Sequence, residues 1–140
     1  MISGMLRAVL RPVIRRWALG RLPSDLTTGD LCAIPAGESG RFAILKVLAV
    51  DPRGVHVRLY KQRFPTIPAD LDLTELSLGV FKAVGGGSDP LSIGHLPITR
   101  EGLGLSGPIR ITNLPVLPDE LDGYQMWLES HGGYFGGRIL

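Results

Sequence analysis

Cysteine is almost missing from this sequence. Cys32 is the single copy in 140 residues, so the chain can close no disulfide on itself and assemble no cysteine-based metal site. That usage suits a reducing compartment, and a cytoplasmic location is the expectation. Long apolar runs are missing too. The longest stretch free of Asp, Glu, Lys and Arg is Pro90–Thr99, ten residues. A helix that spans a bilayer needs about 20. Acid is missing from the first 21 residues, whose arginines interrupt the apolar positions instead of preceding a continuous apolar run, unlike a secretory leader. Finally, no catalytic signature stands out, and the expectation is a protein that is not an enzyme, with no cofactor.

What is present places the fold class. Hydrophobic residues make up 44% and charged residues 20%, which excludes a globally disordered chain. The 19 glycines and 11 prolines speak for many turns and short strands and against a helix bundle. The length suits one domain with a short extension.

The net charge of +2 conceals segregation. Residues 1–21 carry +5, residues 22–40 carry −3, residues 41–63 carry +5 and residues 64–140 carry −5. The sequence pI of about 9.0 therefore comes from the N-terminal arm. Without that arm the body is a mildly acidic globule with one basic segment.

Met5–Leu19 has helical spacing: Leu6, Val9, Leu10, Val13, Ile14 and Trp17 share a stripe, and Arg7, Arg11 and Arg15 recur every fourth residue on another face. Pro12 conflicts with this, since proline inside a helix costs roughly 3 kcal/mol. Such a basic amphipathic helix suits peripheral contact with a membrane surface or a partner. Packing on its own domain is the plainer reading.

After the linker Arg21–Gly29 the pattern changes to strands. Leu31–Ile34 is short and apolar. Arg41–Val50 is apolar on both faces, as in a strand covered from two sides. Asp51-Pro52-Arg53-Gly54 is a turn, with proline presetting φ at the second position. Val55–Tyr60 alternates: Val55, Val57 and Leu59 on one face, His56, Arg58 and Tyr60 on the other. Together these predict a three-strand meander from Leu31 to Tyr60. Leu71, Leu73, Leu76 and Leu78 fit a strand or one helical turn. Gly85–Ser88 reads as a connection, Ser92–Ile98 as an edge strand because of Pro97, Gly102–Gly107 as a loop, and Pro108–Thr112 as a strand. Pro118 and Asp119 open a helix to about Glu129, with Leu121, Tyr124 and Leu128 as its buried stripe, Trp127 beside it, and Gly132-Gly133 as its end. The tail Tyr134–Leu140 is a further candidate edge strand.

The expected architecture is a single-domain α+β fold. A mostly antiparallel twisted sheet forms an SH3-like partial-barrel meander, with a C-terminal helix and an accessory N-terminal amphipathic helix. Residues 1–21 form the arm and residues 22–140 the domain.

Each chemical candidate has a plainer reading. Cys32 with His56, His95 or His131 would make a nucleophile–base pair, but Cys32 sits in an apolar strand, where a free cysteine behaves as a small hydrophobe. The three histidines lack the close spacing of zinc ligands. Gly85-Gly86-Gly87-Ser88 lacks the lysine and the helix of a phosphate loop. Asp70 with Asp72 reads as solvated loop, and Asp119, Glu120 and Asp122 as acids favoured at a helix N-terminus. The basic segment is the stronger candidate. Arg53, His56, Arg58, Lys61 and Arg63 are the interface candidates. They suit an acidic protein surface, or phosphates with Tyr60 or Phe64 stacking on bases, or simply solvent.

One resemblance adds to this. Gly29-Asp30-Leu31-Cys32-Ala33-Ile34-Pro35, followed by a loop, an apolar strand, a turn and a strand ending in Tyr60, resembles the opening of immunity protein family 26, found beside bacterial polymorphic toxins. Ile93-Gly94-His95-Leu96-Pro97-Ile98 is similar to that family's later Gly-x-x-Pro strand. The similarity covers roughly residues 27–100, about half the chain. Its motifs are short and report turn geometry more than chemistry. The basic N-terminal helix departs from the family pattern. The resemblance implies a cytoplasmic protein that binds a cognate toxin domain, whose contacting surface is expected to be acidic, and blocks it. A small-barrel nucleic-acid binder is the alternative.

Overall fold

The stretch Phe42–Val50 has apolar side chains at both alternating sets of positions, so it has no face suited to water. In the computed structural model, which describes residues 26–79 and 89–140, it lies at the centre of a five-stranded sheet. The strands are β1 (Asp30–Pro35), β2 (Phe42–Val50), β3 (Gly54–Phe64), β4 (Ile93–Thr99) and β5 (Ile109–Asn113). Their order across the sheet is β4-β3-β2-β1-β5, with every neighbouring pair antiparallel. The β1–β2–β3 meander forms as the alternation predicts, and β3 continues past Tyr60 to Phe64. The sheet ends at β4 and β5 without closing. Of the expected SH3-like partial barrel, the pairing contains the antiparallel meander and no closure.

Both faces of the sheet are covered. On the first, Cys32, Ile34, Ala43, Leu45, Val47, Val55, Val57, Leu59 and Ile98 are fully buried. Leu103 of helix α1 (Arg100–Leu105) packs there, with Leu26, Ile139 and Leu140 at the margin. Each fully buried Leu, Ile or Val contributes about 1.5–3 kcal/mol. On the second face, Leu31, Ala33, Ile44 and Tyr60 pack with Leu71 and Leu76. Of the two options for residues 71–78, a single 3-10 turn forms, Leu73–Glu75. Asp72 caps it, accepting the Thr74 N–H, while Asp70 accepts the N–H of its neighbour Leu71.

Three stretches differ from the sequence expectation. Residues 102–107 contribute to helix α1 as well as to a loop. The Thr99 hydroxyl accepts the Gly102 N–H at 3.0 Å as an N-cap, and the tail backbone lies so close that a Cβ on Gly102 would meet the Gly137 oxygen at 2.6 Å. The glycines that suggested a loop provide room for that packing. The C-terminal helix begins as a 3-10 turn (Pro118–Leu121) and continues as α2 (Asp122–Ser130). Its inward residues are Tyr124 and Trp127, whereas Leu128 is 42% exposed. His131, not a glycine, takes the left-handed closing conformation, at φ 53°. The tail adds only a single parallel bridge, Phe135 against Ile98. The amphipathic helix expected near residues 5–19 and the Gly85–Ser88 connection lie outside the described residues. Among the described residues, no helix is long and apolar enough to cross a membrane.

One member of the central strand is charged. Lys46 lies opposite Leu31 and Arg58, points to the second face, and is fully buried. Its Nζ donates to Glu120 Oε1 at 2.9 Å and to the Pro115 carbonyl at 2.7 Å. Oε1 also accepts the Leu117 N–H at 2.8 Å. Burial raises the Glu120 pKa, but the Leu117 N–H, Lys46 and Arg58 outweigh it and hold the carboxyl below its ordinary value. These bonds fasten residues 115–120 to the sheet. Lys46→Ala would leave Glu120 buried without its cation, and stability in urea unfolding should fall by about 3–5 kcal/mol. Replacing Lys46 and Glu120 together by apolar residues should cost less than the sum of the two single changes. Simple additivity would mean that the pair is not coupled.

Candidate functional site

The turn between β2 and β3 is built by one carboxylate. Asp51 Oδ1 accepts the backbone N–H groups of Arg53 and Gly54, each at 2.8 Å, and the Asp51 N–H donates to the Gly54 carbonyl at 3.0 Å. Aspartate favours such turns because its short side chain reaches its own backbone two residues on. Gly54 is needed for a close approach. A Cβ there would lie 2.5 Å from the Ile98 oxygen and 2.6 Å from the Tyr134 ring.

Alternation after Gly54 sends His56 to the second face, where it is completely buried. Its Nε2 lies 2.8 Å from Asp51 Oδ2, and Tyr134 donates its hydroxyl to the same oxygen at 2.6 Å. On β4, His95 brings its Nε2 to 2.9 Å from His56 Nδ1, with the two rings 6° from parallel. Helix α2 supplies Tyr124 and Trp127, whose rings meet His56 edge-on at centroid distances of 4.6 and 4.5 Å. Trp127 is fixed in turn by its indole N–H on the Gly133 carbonyl at 2.8 Å. His56 thus joins the hairpin turn, β4, α2 and the tail.

The donor pattern follows from the carboxylate. Burial works to raise the Asp51 pKa, but the Tyr134 and His56 hydrogen bonds and the two backbone N–H groups outweigh it, and it falls to about 2. An ionised Asp51 only accepts, so His56 Nε2 carries a proton. One proton then lies between His56 Nδ1 and His95 Nε2. Burial, and next the neighbouring His56, push the His95 pKa down to about 4. Burial, followed by the bond to Asp51, pushes the Tyr134 hydroxyl up to about 12. Asp51, Tyr134, His56 and His95 thus form one hydrogen-bonded array, with half-buried His95 at one end.

The other candidates separate. Cys32 belongs to the first face, whereas His56 points to the second. Burial, helped by Asp30, raises the Cys32 thiol to about 12, so it is not poised as a thiolate. Among the described residues no group of three His, Cys, Asp or Glu side chains is arranged to hold a metal. His131 is exposed at the end of α2. Glu120 is buried as the partner of Lys46, while Asp119 and Asp122 are exposed.

The five interface candidates also part company. Arg53 is exposed on the turn. His56 offers no surface, which corrects its placement on an outward face: α2 covers the side of β3 that the alternation leaves polar. Arg58 is half-buried and donates to the Gly94 carbonyl at 3.1 Å and the Glu120 carbonyl at 3.5 Å. Lys61 lies 3.7 Å from Asp89. Arg63 folds back, donating to the Tyr60 carbonyl and the Leu91 carbonyl, both at 2.8 Å. In the sequence Asp51 reads as a turn former only, His95 as isolated and Tyr124 as a core residue, and nothing there connects Trp127 or Tyr134 to His56. The Asp51…His56 spacing was the one local signal.

Acid should unfold the protein through these groups. His95 has a folded pKa of about 4 against an ordinary 6.5, so the unfolded chain binds its proton first and stability is lost as pH falls from 6.5 towards 4. Asp51, at about 2 against 3.8, adds a second loss between those values. Urea midpoints measured from pH 7 to 3 should therefore decline. His95→Gln, which keeps a donor towards His56, should flatten the upper part of the decline, and an unchanged profile would refute the assignment. In comparison with known proteins, no family model, curated protein or solved structure matches the chain.

Proposed function

We propose that the protein binds a cognate bacterial toxin domain and neutralises it by occlusion, as the resemblance to immunity protein family 26 implies. The observation that carries the reading is the pinned end of the sheet. Four hydrogen bonds converge on Asp51, from the Arg53 and Gly54 N–H groups, His56 and Tyr134, while Arg53 itself remains exposed. A surface already fixed in place loses little conformational entropy on docking. Exposed cations beside it speed encounter with an acidic partner. The two stretches that carry the resemblance form β1 with its leading turn and the edge strand β4. The reading implies a cytoplasmic protein, as the single cysteine does.

The small-barrel nucleic-acid reading draws on the same basic segment, but Arg58 and Arg63 direct N–H groups to backbone carbonyls, which leaves that strip with fewer donors for phosphates. Co-expression with a toxin domain encoded by a neighbouring gene tests the proposal. Growth should be restored, and the two proteins should co-purify as a complex. A toxin that kills equally with and without this protein overturns the reading. Nucleic-acid binding that falls steeply with salt, without rescue, favours the alternative.

A further inference from the structure

We infer that the basic arm, residues 1–21, docks on helix α2 of its own chain, its apolar stripe against Leu117, Leu121 and Leu128 and its arginines beside Asp119, Asp122 and Glu129. This contact goes beyond the binding reading above and does not rest on it. Helix α2 closes on the sheet with one side, through Tyr124 and Trp127 against His56. Leu121 and Leu128 are seven residues apart, two helical turns, so they share another side. Leu117 stands just ahead, at the opening of the 3-10 turn. Leu117 is 46% exposed and Leu128 42%, and Leu121 between them is half-buried. Covering such a row gains about 25 cal/mol for each Å² of apolar surface removed from water.

The charge beside the row is of one sign. Residues 111–137 contain Asp119, Glu120, Asp122 and Glu129 and no Lys or Arg. Glu120 turns inward to Lys46. The other three are exposed and form no ion pair among the described residues. Arg58 reaches the Glu120 carbonyl, and counting it against the three acids still leaves the face negative. Residues 1–21 offer the complement: five arginines, no acid, and apolar residues at helical spacing from Leu6 to Trp17. The chain's other basic block, residues 41–63, is already built into β2 and β3. Position and length agree. The chain enters the domain beside the segment that leads to α2: the Gly29 carbonyl accepts the Leu114 N–H at 2.9 Å, and Asn113 donates its side-chain amide to the Thr28 carbonyl at 3.0 Å. Leu121 follows Leu114 by seven residues, so it lies at most about 25 Å away, and residues 20–28 can span about 30 Å. A tether this short holds the arm near α2 at an effective concentration on the order of millimolar, which favours its own helix over that of a second copy.

Limited trypsin digestion of the full chain, with fragments read by mass, provides the test, because Arg7, Arg11, Arg15 and Arg16 are cleavage sites that docking would cover. Asp122→Lys with Glu129→Lys should speed cleavage within the arm by about tenfold or more at low salt, since proteolysis follows the population of the open form. High salt should speed it in the wild type. Leu128→Lys should also free the arm, and it remains informative if the double variant loses helical circular dichroism. Glu38→Lys, an exposed reversal between β1 and β2, should leave the rate unchanged. An arm cut equally fast in the wild type and in the α2 variants overturns the contact. Protection that grows with protein concentration, together with a dimer in sedimentation, overturns the same-chain contact in favour of exchange between copies. An arm cut freely in solution and protected only by vesicles containing phosphatidylserine overturns it in favour of a membrane surface.

Discussion

A lysine buried in the middle of a sheet needs an anion. Lys46 sits on β2, the only strand with two neighbours on each side, and its side chain is fully buried. The cost of leaving it alone would be several kcal/mol, comparable with much of a small domain's net stability. Glu120 meets that need from 74 residues away in sequence. Its carboxylate also accepts the Leu117 N–H, and the Pro115 carbonyl accepts a second hydrogen bond from Nζ. The segment before α2 is therefore registered on the sheet by directional bonds, not by apolar contact alone. Since Pro118–Leu121 leads straight into α2, fixing this segment also fixes where the helix begins.

The second attachment of α2 is made along its middle. Trp127 and Tyr124 close on His56, and His56 is tied to Asp51. Helix α2 thus rests on two polar clusters, one under its start and one under its middle. The two faces of the sheet use different physics. The first is packed with Leu, Ile and Val, whose contacts are close but not directional. The second adds to its own apolar cluster bonds that form in one register. A one-residue slip of β3 would turn His56 and Arg58 towards the apolar face and bring Val57 to Asp51. Such a slip would forfeit both clusters at once. The polar residues hence select the register that the apolar residues by themselves only favour.

This division explains what could be read from the sequence. Periodicity is a local property, so the meander, the Asp51-Pro52-Arg53-Gly54 turn and the edge strands were visible in it. The double-sided apolar pattern of β2 announced a covered sheet. The same covering implied that the polar face of β3 would be enclosed, but period-two alternation is equally the mark of a solvated face, and nothing near His56 distinguishes the two. Its partners lie at positions 95, 124, 127 and 134. Glu120 illustrates the same point. As the third residue of a helical start it reads as an acid favoured by the helix dipole, and its neighbours Asp119 and Asp122 are indeed exposed. Only the position of Lys46 in space makes it different from them. The helix in residues 100–105 was hidden for another reason: its glycines lower helix propensity, and the tail packed against Gly102 compensates for that.

The charge pattern takes on a different meaning once these clusters are drawn. Counted along the chain, residues 41–63 are a block of six cations against one acid. Counted in space, Lys46 is neutralised by Glu120, Lys61 lies near Asp89, and Arg58 and Arg63 turn towards carbonyls. What remains most outward of that block is Arg41 at one end of β2 and Arg53 at the other. Folding therefore converts a basic segment into two separated basic points. The point at Arg53 gains Arg100 from a different part of the chain, and it gains a rigid base because Asp51 ties the turn to His56 and Tyr134. By accepting from His56, Tyr134 and the turn backbone, the ionised Asp51 holds the turn together, and with Glu101 it balances the two arginines at that end of the sheet.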